Sequence, residues 1–121
     1  MKRDFELIRN ILLDVEAAPA GQLLNHFSYE GKAEAEVLEH IDLLAKANFI
    51  EAKVPLDGDG VPWGCHVSRL TWKGHEFLET ARNETLWRKV LGQVRASSVS
   101  VSLDVLQGLL TKALKGELGL Q

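Results

Sequence analysis

In this 121-residue sequence the run Asp57-Gly58-Asp59-Gly60 has alternating carboxylates that offer the hard oxygen ligands of a calcium loop. The spacing then fails. A calcium loop opened at Asp57 places Val61 and Pro62 where a ligand and a turn glycine belong, and Ser68 where a bidentate glutamate belongs. A solvated loop tip is the expectation. Cys65 and His66 are adjacent and His26, His40 and His75 follow no ligand spacing, so no zinc site is expected. Nucleophilic catalysis by Cys65 would need His66 or His75 as an ordered base, yet neighbours on a strand point to opposite faces. Gly58, Gly60 and Gly64 precede no helix of the phosphate-binding kind, and no Gly-Lys-Ser or Gly-Lys-Thr occurs. The sequence therefore predicts no enzyme, no metal and no cofactor, with Cys65 a buried thiol and His40 held by a structural hydrogen bond.

Two other residue sets could contact a partner. Lys32, Lys46, Lys53, Arg69 and Lys73 stand at helix ends and along a hairpin, where cations can reach DNA phosphates. Carboxylates oppose them. On a wheel anchored at Ile41, the outer side of the central helix carries Glu36, Glu39 and Asp42, which a polyanion repels. Of the tryptophans, Trp72 is expected to pack at a helix start and Trp87 on a helix stripe, while Trp63, near a loop tip beside Pro62, is the one expected to meet a partner.

The elements that must position these residues lie mainly between residues 32 and 78. Val37, Ile41, Leu44 and Ala45, with Leu38 at the edge, recur at helical spacing over residues 33–47, and Asn48 suits the left-handed turn that closes such a helix. Residues 49–54 alternate as a half-buried strand does, residues 55–64 are turn-rich, and residues 65–70 return as the second strand of a hairpin. Before this core, Asp4 caps a helix with the stripe Phe5, Ile8, Ile11, Leu12 and Val15, which stops ahead of Pro19-Ala20-Gly21. Residues 22–27 read as a short strand or a turn of helix, with strand preferred, and residues 28–31 leave no room for a separate helix.

After the hairpin, Thr71 caps one long helix with the stripe Phe77, Leu78, Ala81, Trp87, Val90, Leu91 and Val94. A last helix follows Ser102, with Leu103, Leu106, Leu109, Leu110, Ala113 and Leu114 on one side. Gly108 weakens it by about 1 kcal/mol relative to Ala, so a covering surface is expected. The fold class is α+β and mainly helical: a winged helix-turn-helix-like domain over residues 1–95, with a β-hairpin wing, and a C-terminal helical extension over residues 96–121.

Three segments resemble a family of uncharacterised bacterial and phage proteins of winged-helix type, filed as a domain of unknown function. They are Lys2-Arg3-Asp4 with the helix through Leu13, His40-Ile41-Asp42-Leu43-Leu44 leading to Ala47-Asn48-Phe49-Ile50, and Leu70-Thr71-Trp72-Lys73-Gly74-His75-Glu76-Phe77-Leu78. The last also looks like the wing-to-helix junction of many winged-helix regulators. Where those usually have Gly before the first wing strand, this chain has Asn48. The resemblance implies a fold and brings no established activity.

Composition bounds the function. The charged fraction is 26%, the hydrophobic fraction 45% and the formal net charge −3, so nothing global marks a nucleic-acid binder. No apolar run approaches the roughly 18 residues that span a bilayer, and the single cysteine agrees with a reducing compartment, so a cytoplasmic protein without membrane contact is expected. Two functions fit: a DNA-binding transcriptional regulator that touches mainly phosphate, or a protein–protein interaction module on a winged-helix scaffold. A homodimer is expected in either case, built on Trp87, Leu91, Val94, Leu106 and Leu110, because two apolar helix stripes exceed what a small core buries.

Overall fold

Ordered secondary structure begins at an aspartate that stops the backbone from fraying. The structure, a computed structural model, describes residues 1–120. Asp4 is extended, and its Oδ1 accepts from the Leu7 amide at 3.1 Å, which caps α1 (Phe5–Ala17). Leu7, Ile8, Ile11, Leu12 and Val15 form its buried face. Ala18 leaves the helical region just before Pro19, which has no amide to continue the ladder.

Residues 22–27 form less of a strand than the sequence predicts. Gln22 is taken by a turn onto the Pro19 carbonyl, and only Leu24 pairs, exchanging bonds of 2.9 and 2.8 Å with Val67. Phe27 turns inward and is buried.

Two acids, the cap of α1 and one within the helix, clamp the turn that follows. The Tyr29 hydroxyl donates to Asp14 Oδ2 at 2.6 Å, and Lys32 Nζ lies 2.5 Å from Asp4 Oδ2. This clamp stands where the sequence leaves no room for a helix. α2 (Glu34–Lys46) follows with Val37, Leu38, His40, Ile41, Asp42 and Leu44 buried. Its first turn carries Glu34 and Glu36, which the partial positive charge of a helix start favours. Asn48 takes the left-handed conformation at φ 66°, so the Phe49 amide reaches the Leu44 carbonyl and the Asn48 amide that of Ala45.

The chain then runs into β1 (Ile50–Lys53) and returns as β2 (His66–Leu70), an antiparallel pair. The register slips between Glu51 and Ala52, leaving Ser68 as the extra residue of a bulge, and its hydroxyl donates to the Glu51 carbonyl at 3.0 Å. Leu24 occupies the other edge of β2, so the spatial order is Leu24, β2, β1.

The loop between the strands is ordered by its own backbone. Leu56 bridges Pro62, and Asp57 Oδ1 accepts from the amides of Asp59 and Val61 at 2.8 and 3.0 Å. Gly60, at φ 79°, makes the turn possible.

The chain divides into two compact units, Met1–His75 and the residues from Glu76 on. In place of one long helix there are two, α3 (Trp72–Ala81) and α4 (Glu84–Ala96). The break has a local cause. Asn83 is extended and its Oδ1 accepts from the Leu86 amide at 3.0 Å, so it starts a new helix instead of continuing the old one. α5 (Leu103–Glu117) is capped by Ser102, as the sequence predicts, and packs on α4. Among the described residues no helix is long and apolar enough to cross a membrane.

Candidate functional site

The most specific sequence segment, residues 70–78, builds a junction. The Thr71 amide donates to the Phe49 carbonyl at 3.0 Å, and its hydroxyl donates to the Asn48 carbonyl at 2.6 Å while accepting from the Gly74 amide at 3.1 Å. One side chain thus caps α3 and ties it to the end of α2. Lys73 adds a long bond of 3.3 Å to the Ala47 carbonyl and lies 4.7 Å over the Phe49 ring. Gly74 is required because a Cβ there would stand 2.2 Å from the Phe49 carbonyl oxygen. Sequence reading quoted Gly74 as part of a motif and missed this close approach, for which a glycine in a first helical turn was the available signal.

The cations expected to meet phosphate are mostly engaged inside the protein. Lys32 is paired with Asp4, Lys46 with Asp42 at 2.9 Å, and Arg69 with Glu51 through two hydrogen bonds, while Lys73 serves the junction. Lys53 makes no ion pair among the described residues. The partners reinforce one another. Hydrogen bonds and charge from Asp4, Asp42 and Glu51 push Lys32, Lys46 and Arg69 above their ordinary values, and Arg69 in turn holds Glu51 below the usual carboxylate range. Burial works to raise the Asp4 carboxyl, but bonds from Lys32 and the Leu7 amide outweigh it and leave it low.

The acidic face also differs from the wheel. Asp42 is buried beside Lys46, so the outer side of α2 presents Glu36 and Glu39 with the exposed Leu43. The hairpin loop adds Asp57 and Asp59, both exposed.

Two of the tryptophans are exposed. Trp63 is 65% exposed, and Trp72, expected to pack, is 81% exposed. The wheel explains the correction. Gly74, Phe77, Leu78 and Ala81 share the buried face of α3, and at about 100° per residue Trp72 falls opposite, beside the exposed Glu76 and Glu79. Trp87, Leu91, Leu106 and Leu110 are all buried within the chain and Val94 is half-buried.

Cys65 is buried, which pushes its thiol up, and His66 beside it is exposed. Among the described residues no three of His, Cys, Asp or Glu converge as a metal would require.

Comparison with known proteins finds relatives of this chain. The family described as Hypothetical protein (DUF2513) matches over residues 2–100. A protein of Haemophilus influenzae (strain ATCC 51907 / DSM 11121 / KW20 / Rd), described as an uncharacterized protein, is 36% identical over 110 residues, covering 88% of this chain and 90% of its own length. No solved structure matches the chain.

Proposed function

The chain belongs to the DUF2513 family of hypothetical proteins, and from that premise we propose that it is a winged-helix module that recognises another protein and not nucleic acid. The order α1, Leu24, α2, β1, loop, β2, with Leu24 and β1 on opposite edges of β2, supports the winged-helix reading. In that arrangement α2 and the loop would face a duplex, and both lead with carboxylates: Glu36, Glu39, Asp57 and Asp59.

The observation that carries the protein reading is Trp72. Its neighbours Thr71, Lys73 and Gly74 are all used by the junction, whereas its indole is 81% exposed and contributes nothing there. An indole flanked by Glu76 and Glu79 suits a basic segment of a partner, because a lysine or arginine gains both the ring face and the carboxylates. Fold alone does not dictate this; the reading is supported by the side chains.

The test has two arms. Tagged protein and its Trp72→Ala variant are compared for co-purified partner, and loss of an anchor worth about 2 kcal/mol is expected to cut recovery roughly thirtyfold with the unfolding midpoint unchanged. Equal recovery overturns the role of Trp72. In the second arm the protein is applied to immobilised duplex DNA across a salt series. Retention at low salt that falls steeply as salt rises would replace the protein reading with a phosphate-contacting regulator, in which Lys53 is the first cation to test.

A further inference from the structure

His40 is completely buried, whereas His26, His66 and His75 are exposed. Its Nδ1 lies 2.8 Å from the Glu36 carbonyl oxygen, one turn earlier on α2, and its Nε2 lies 2.9 Å from the backbone nitrogen of Asp4. A carbonyl only accepts and an amide N–H only donates. The two contacts therefore fix the ring: Nδ1 carries the proton, and Nε2 presents a bare lone pair to the Asp4 amide. This bond ties the capping residue of α1 directly to α2.

We propose that His40 is a pH-sensitive latch, in which protonation of Nε2 releases the start of α1 from α2. A second ring proton would point at the Asp4 N–H, donor against donor, at a fully buried ring. Met1, Lys2 and Arg3, which precede Asp4, are exposed.

The charges around the ring do not remove the conflict. The Asp4 carboxylate belongs to the same residue as the bonded amide, but its Oδ1 is taken by the Leu7 amide and its Oδ2 by Lys32. Lys32 opposes an added proton, and Glu36, half-buried on the same helix, favours one. The charged side chains of the hairpin, Glu51, Lys53, His66 and Arg69, are all exposed.

The sign follows from which state binds the proton. The closed state requires a neutral ring, so the latch holds while Nε2 is bare and opens as pH falls, by up to tenfold per pH unit for one proton. Opening also undoes the Asp4 cap and its pair with Lys32, and it uncovers the first buried residues of α1, Leu7 and Ile8.

Nitrogen NMR of the imidazoles and hydrogen exchange of the Asp4 amide test this on the intact chain between pH 8 and pH 5. The expected result is the Nδ1–H tautomer at pH 7.5 and loss of Asp4 amide protection, corrected for intrinsic exchange, with the same midpoint as His40 protonation. In His40→Gln, whose side-chain oxygen can accept from the Asp4 amide without titrating, protection is expected to stay flat. An Nε2–H tautomer, constant protection in the wild type down to pH 5, different midpoints for ring and amide, or an equal fall in His40→Gln would each overturn the latch. If His40→Gln does not fold, the match of midpoints in the wild type decides alone.

Discussion

At the scale of single residues, Gly74 and Thr71 carry the fastening between α2 and α3, and each gives a sharp expectation. Gly74→Ala pushes a Cβ onto the Phe49 carbonyl, a backbone atom that cannot rotate away. A loss of roughly 2–3 kcal/mol is expected, at the upper end for overpacking, read as a lowered urea midpoint. Thr71→Ala removes one acceptor and one donor together, so about 1 kcal/mol or somewhat more should go, while Thr71→Ser, which keeps the hydroxyl, should retain most of it. An unchanged midpoint for Thr71→Ala would mean that the hydroxyl is not the cap.

At the scale of elements, most of the chain was legible because its stripes and caps agree. The helix expected over residues 33–47 is Glu34–Lys46, the strand expected over 49–54 is Ile50–Lys53, and the caps Asp4 and Ser102 stand as read. The long helix was misread because apolar spacing continues from Ala81 into Leu86 and Trp87, while the interruption depends on one polar side chain, Asn83, turning back to an amide. Residues 22–27 resisted for another reason. A strand of one bridged residue is set by its neighbour Val67 and leaves no period of its own.

The candidate site was less legible than the fold. Trp72 was placed by residue type, where its angle on the helix decided the matter, and the pairing of Lys32 with Asp4 joins residues 28 apart that no local pattern connects. α5 offers a check on packing against propensity. Gly108 has open space where a Cβ would go, so Gly108→Ala is expected to stabilise the protein by up to about 1 kcal/mol in thermal or urea unfolding. A loss instead would show that this face of α5 is covered in solution.

At the scale of the whole molecule, charge gives a test of the proposed choice between partners. The formal net charge is −3, and Glu36→Gln with Glu39→Gln brings it to −1, since two carboxylates are removed. If those acids keep DNA away, the double variant is expected to be retained more strongly than the wild type on immobilised duplex at low salt. Weaker retention would identify the carboxylates as readers of cytosine amines.

The hairpin loop has a further consequence, for the entropy of recognition. A loop closed by the Leu56–Pro62 bridge and by the two amides on Asp57 enters a complex already shaped, so Trp63 would engage with little freedom left to lose. Asp57→Ala is accordingly expected to leave the contact surface of Trp63 intact and yet weaken binding, with a more unfavourable entropy in calorimetry. Equal affinity with an unchanged entropy would show that the loop stays ordered without its carboxylate, and that rigidity there comes from the backbone alone.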